Sequence, residues 1–135
     1  TFRIREIVTG VEKIMTGMFE VSLVLDFHRL PELFCGFVRR PGQGLTRYPV
    51  ACNPQAWAAG SAFMALQACL GLSIIASEQK VVFNYPILPE FIDKMQIKNL
   101  KVGTASVDLL LRRHDLDVGI TVIRRAGKVE VVSVK

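Results

Sequence analysis

The order of apolar and polar positions changes character near the middle of this chain. Ile4, Ile7, Val8, Val11, Ile14, Met15 and Met18 follow the i, i+3, i+4, i+7 spacing of an amphipathic helix, with Arg5, Glu6, Glu12 and Lys13 on its polar side. Gly10 and Gly17 each weaken such a helix by about 1 kcal/mol relative to alanine, so it needs tertiary support. Met15 and Met18, at this spacing, read as core rather than as a flexible binding stripe. Val21 to Leu25 fits either an extension of the helix or a short strand before Asp26-Phe27-His28. A second apolar run covers 56–76, and no charged residue occurs between Tyr48 and Ser77. Pro54 stands where a helix through this run should begin, with Asn53 as its N-cap.

After Ala76 the period becomes two. Lys80–Tyr85, Met95–Val102, Thr104–Arg113, Val118–Arg125 and Lys128–Val134 are predicted as strands. In the third of these Ala105, Val107, Leu109 and Leu111 share one face, and Ser106, Asp108 and Arg112 the other. His114-Asp115-Leu116-Asp117 and Ala126-Gly127 read as the hairpin turns of a meander. The pattern predicts an α+β chain: a helical segment over 1–76, then a β-rich, sandwich-like segment over 77–135.

Composition narrows the function classes. At 135 residues, half of them apolar, the chain can bury one sizeable core. The run 56–76 is long enough to cross a bilayer, but Gln67 interrupts it, Gly60 and Gly71 punctuate it, and no cationic flank anchors its far end. A helix apolar all round is equally a helix inside a large protein, so no membrane partner is expected. The net charge of +5 is spread over separate pairs, Arg39-Arg40, Arg112-Arg113 and Arg124-Arg125. With no aromatic residue C-terminal to Ile92, this argues against nucleic acid. Cys35, Cys52 and Cys69 form no Cys-x-x-Cys, and only His28 and His114 could join them, so neither a disulfide framework, a metal site nor a cofactor is expected. Reduced thiols predict a cytoplasmic setting. The chain starts at Thr1 with no charged-then-apolar leader, which suits a piece of a longer protein or a processed chain.

The candidate chemistry lies between Leu30 and Trp57. Glu32 stands near Phe34 and Phe37, before a turn built from Pro41, Gly42 and Gly44; Arg47, Tyr48, Gln55 and Trp57 follow. One carboxylate among flat apolar walls is how a carbohydrate-cleaving pocket is assembled. Leu30-Pro31-Glu32 by itself is a weak signal, because proline then glutamate also marks a helix start, where the carboxylate suits the dipole. Leu88-Pro89-Glu90 repeats the tripeptide without the downstream Tyr48, Gln55 and Trp57 context, and reads as a single turn between strands. Trp57 also has a plain reading as a core tryptophan.

Tyr48-Pro49-Val50-Ala51-Cys52 followed by Gln55-Ala56-Trp57-Ala58-Ala59-Gly60, with the upstream Leu30–Gly36 segment, resembles the end of the catalytic domain in bacterial amylo-alpha-1,6-glucosidases, relatives of the glycogen debranching enzymes. The resemblance runs from Leu-Pro-Glu into the β-rich tail. It implies helices from the end of an (α/α)6 barrel, whose acid and base come from loops at one end, followed by a structural β segment. It makes Glu32 the general base that activates water, with the acid outside this sequence. By residue type, Phe34, Tyr48 and Trp57 are expected as platforms for sugar faces, with Arg47 and Gln55 offering hydrogen bonds to hydroxyls. The implied reaction is hydrolysis of α-1,6 branch links in glycogen-type glucans or related oligosaccharides, with inversion, which requires carboxylates about 6.5–9.5 Å apart. The implied partner is the remainder of the parent polypeptide, without which the chain is expected to be inactive. The alternative is a noncatalytic α+β module that binds a partner or assembles through its apolar helices. A fragment should expose a wide apolar patch around 56–76 and self-associate; a stand-alone module should be a well-behaved monomer or symmetric dimer.

Overall fold

The computed structural model describes residues 2–38, 40, 44–115 and 117–135, with side chains inside the first helix described from Thr9 onward. Arg39, the Pro41-Gly42 part of the expected turn, and Leu116 lie outside the described residues.

Helix α1 spans Phe2–Leu23, which settles Val21–Leu23 as helix. Met15 is buried, while Met18 and Val21 pack with Leu25, Leu30 and Ala58 in a small cluster. Other apolar residues of α1 stay in solvent: Ile14 is 61% exposed and Leu23 56%.

Helix α2 spans Ala56–Leu70, and both of its ends correct the sequence reading. Its N-cap is Gln55, not Asn53: the Gln55 side chain accepts a hydrogen bond from the Ala56 N–H at 3.1 Å. Residue 55 is still extended because its own N–H donates to the Leu30 carbonyl at 3.2 Å, so helical geometry starts one residue later. The helix stops at Leu70 instead of continuing to Ala76. Gly71 adopts the left-handed conformation at φ 53° and its N–H closes back on the Ala68 carbonyl at 3.2 Å, a common helix ending. The next residues, Leu72–Ile75, form strand β1. A buried helix and a buried strand have the same hydropathy, and the apolar run hid the boundary.

Strand β1 pairs antiparallel with β2 (Lys80–Asn84), and β2 pairs in parallel with β6 (Glu130–Val134). A second three-stranded sheet is a meander of β3 (Lys94–Val102), β4 (Ala105–His114) and β5 (Asp117–Ala126). The turn expected at 114–117 is present, with His114 opposite Asp117. The hairpin expected at Ala126-Gly127 is not: Gly127, at φ 85°, redirects the chain so that β6 leaves the meander and joins the other sheet. A side chain at 127 would meet the Ala105 Cβ at 2.9 Å, so the crossing needs glycine.

The two sheets share one core. Val81 and Phe83 of β2 cluster with Val102, Val107, Leu109, Leu111 and Val118 of the meander, and Leu70 and Leu88 join them. Ala105, Val107, Leu109 and Leu111 are all buried, as their alternation predicts. The chain is thus mixed α+β: among the described residues, two α-helices and two small, mostly antiparallel sheets. No helix among them is long and apolar enough to cross a membrane.

Candidate functional site

The segment joining α1 to α2 folds back on itself as a two-stranded ribbon. The Gln55 N–H donates to the Leu30 carbonyl, the Glu32 N–H to the Cys52 carbonyl at 2.9 Å, and the Cys35 N–H to the Thr46 carbonyl at 3.3 Å. Phe34 and Arg47 form an antiparallel bridge between the last two rungs. Pro31-Glu32 does not begin a helix: the segment runs in extended pairing across the ribbon, with the Glu32 N–H bonded to Cys52. The second Leu-Pro-Glu behaves as expected, as a turn closed by the Ile92 N–H on the Pro89 carbonyl at 2.8 Å.

Glu32 is half-buried, and its Oε2 accepts from the Cys52 N–H at 3.3 Å. Backbone and side chain of Glu32 are thus both tied to Cys52, which fixes the carboxylate on the ribbon near the α2 end. Phe34 and Arg47 sit side by side on the facing strands. Gln55 is at the ribbon's foot, its side-chain oxygen occupied as the N-cap and its amide NH2 still a donor. Tyr48 is 45% exposed and Phe34 42%. Trp57, the second residue of α2, is 60% exposed, so it is not the core tryptophan of the plain reading. Glu32, Phe34, Arg47 and Gln55 therefore share one ribbon, with Tyr48 beside Arg47 and Trp57 just beyond the ribbon.

The ribbon and α1 enclose an open cleft of about 800 Å3, walled by Phe34, Phe37, Val38 and Leu45 on one side and Met18 and Val21 on the other. Glu32, Arg47, Tyr48, Gln55 and Trp57 do not line it. A separate cleft lies between α1, α2 and the turn after β2. No group of three or more His, Cys, Asp or Glu side chains is placed to hold a metal ion among the described residues. The three cysteines are free thiols; Cys69 is buried, Cys35 is half-buried and Cys52 is exposed.

Sequence reasoning missed Cys52 as the anchor of Glu32, and the ribbon itself. The signal was present: a Pro/Gly-rich centre between Phe37-Val38 and Leu45-Thr46 is a hairpin pattern. Chemically, the arrangement offers one anchored carboxylate on a ribbon that also carries exposed aromatic residues and an arginine. One carboxylate can take a proton from water, but glycosidic cleavage also needs an acid at the leaving oxygen. Comparison of the chain with protein-family models, with curated proteins and with solved structures gave no match.

Proposed function

We propose that this chain carries one half of the active site of a glycoside hydrolase that cleaves α-1,6 branch links in glycogen-type glucans. Glu32 is the general base that activates water for an inverting attack, and the acid comes from the remainder of a longer parent protein. The observation that carries the reading is the placement of Glu32. The residue is half-buried and its carboxylate is anchored through one oxygen, on a ribbon whose aromatic residues Phe34 and Tyr48 are exposed. Exposed rings beside a fixed carboxylate suit sugar faces stacked next to a proton acceptor. Arg47 and the Gln55 amide are the hydrogen-bond donors for hydroxyls, and Trp57 is a further platform.

The helices support membership in a larger helical domain, of the paired-helix barrel kind. In α2 only Ala58, Cys69 and Leu70 are buried, while Trp57, Phe63 (76% exposed) and Met64 (72% exposed) face outward. That is the wide apolar patch expected of a catalytic-domain piece. The free thiols fit a reducing, cytoplasmic compartment. A noncatalytic assembly module would use the same apolar patch, and turnover separates the two readings.

The test is hydrolysis of a branched α-1,6-linked glucan by the intact parent, wild type against Glu32→Gln. A general base contributes about 10²–10⁴-fold, so the variant should lose at least that much turnover with its melting temperature unchanged. Equal turnover in the two proteins would remove Glu32 from the mechanism. A wild-type parent without α-1,6 activity would overturn the substrate assignment. The chain alone, lacking an acid, should show no turnover.

A further inference from the structure

We infer that the cleft between α1, α2 and the Pro89–Ile92 turn binds an amphipathic carboxylate of the medium-chain fatty-acid class. The cleft measures about 570 Å3, within the range of about 300–1,000 Å3 typical of small-molecule sites. Its walls are Met15, Met18, Phe63, Leu66, Phe91 and Ile92. The Phe19 and Phe91 rings stack across its edge at 4.8 Å between centroids, which joins α1 to the turn. Met15 is buried and Met18 packs with Leu25 and Leu30, so these methionines line the cleft as part of the core, whereas Phe63 on the α2 side is exposed apolar surface.

Polarity is confined to Ser22, His28 and Arg29. Arg29 has no carboxylate partner among the described residues; its guanidinium lies 5.8 Å from the Phe27 ring centroid. The turn that presents these groups is a constrained one. Phe27 and His28 both hold positive φ, 55° and 56°, a conformation that side-chain-bearing residues seldom adopt. His28 Nδ1 donates to the Ser22 carbonyl at 2.9 Å, which ties the ring to the end of α1. An arginine lining an apolar cleft, with no carboxylate partner among the described residues, complements a ligand with one anionic end and a hydrocarbon body, and a carboxylate matches the guanidinium fork. A sugar would leave its hydroxyls unpaired against these walls. None of Glu32, Phe34, Arg47, Tyr48, Gln55 or Trp57 lines this cleft, so the inference uses none of the proposed catalytic residues; it shares only Phe63 with the apolar α2 face that the glycosidase reading assigns to the parent protein.

The experiment is calorimetric titration of the 135-residue chain with decanoate below its micelle concentration, in parallel with decan-1-ol. Decanoate should bind at one site per chain and more tightly than the alcohol. Arg29→Gln should weaken decanoate about tenfold, the weight of one charge-assisted pair, and leave the alcohol unchanged. Ala62→Phe, at an exposed position on the cleft wall, should abolish both, with circular dichroism confirming that each variant is folded. Non-saturating uptake, equal affinity for acid and alcohol, or an Arg29→Gln variant that binds decanoate as the wild type does would each overturn the assignment. If the apolar faces drive self-association that fills the cleft, sedimentation will show dimers that decanoate does not disperse, and that result also rejects the site.

Discussion

Gly71→Ala should be one of the most damaging single-methyl additions in this chain. Gly71 sits at φ 53° and ψ 33°, a left-handed conformation that costs an alanine about 1–2 kcal/mol. A Cβ at this position would lie 2.0 Å from the Asn84 carbonyl oxygen and 2.8 Å from its carbon. Those are backbone atoms, and they cannot rotate aside. The Asn84 N–H donates to the Gly71 carbonyl at 3.0 Å, and Asn84 is paired with Val134 in the parallel half of the sheet. Relief of the overlap must pull β2 away from the helix end, and overpacking of this kind costs about 1–3 kcal/mol. The two effects together come to about 2–5 kcal/mol, or about 6–15 °C in melting temperature at about 3 °C per kcal/mol for a domain of this size. Urea denaturation followed by far-ultraviolet circular dichroism measures it as a fall in midpoint at constant slope. Gly60→Ala is the internal control: it lies inside α2 with nothing within 4 Å of the added Cβ, and should stabilise by about 0.5–1 kcal/mol. A Gly71→Ala midpoint within about 0.5 kcal/mol of wild type would refute the argument that helix end and strand end are locked together.

Other expected outcomes follow from the β half. The Arg113 Nη2 converges on the carbonyls of Pro89, Glu90 and Ile92 at 2.7, 2.5 and 2.7 Å, and pins the turn after β2 to β4. Arg113→Met keeps the aliphatic stem but strips these donors, and should cost about 2 kcal/mol in the same urea assay. Asp93→Asn should be neutral by that measure, because the Asp93 side chain is 95% exposed and its ion pair with Arg113 is screened. Asp108 is held below the ordinary carboxylate range, first by the Asn99 N–H donating to its Oδ1 at 2.7 Å and then by Arg124. A depressed folded-state value means that its stabilisation is present above the unfolded value of about 3.9 and is lost as pH falls through the folded one. Melting curves from pH 6 down to pH 2 should therefore show a shallower acid limb for Asp108→Asn than for wild type; parallel curves would refute this role.

Parts of the fold and of the site were legible in the chain for identifiable reasons. Ala105, Val107, Leu109 and Leu111 alternate with Ser106, Asp108 and Arg112, with Leu110 the exception on the second face, and a strand with one fully buried face leaves that trace whatever it packs against. The helix over Phe2–Leu23 announced itself by period but not by its surroundings: Ile14 fits the apolar stripe and yet is exposed. Within the candidate site, the residue types around Glu32 were readable. Their arrangement was not, because Pro31-Glu32 has the same local chemistry whether it starts a helix or pairs across a ribbon. Only Cys52, twenty positions away, decides between the two.

By itself, the sequence determined what depends on neighbours within a few positions: the two helical stretches, the strands from Lys80 onward, the turn before Asp117, and a carboxylate set among aromatics. The tertiary structure decided whatever depends on a distant partner. It ended α2 at Gly71 against Asn84, turned Leu72–Ile75 into a strand by pairing it with β2, and carried β6 past the meander to lie parallel to β2. It also tied Glu32 to Cys52 and left the outer faces of both helices bare. The physical reason is range. Hydropathic period and capping chemistry are local, whereas register, strand order and the surroundings of a carboxylate are set by contacts whose sequence separation leaves no local trace.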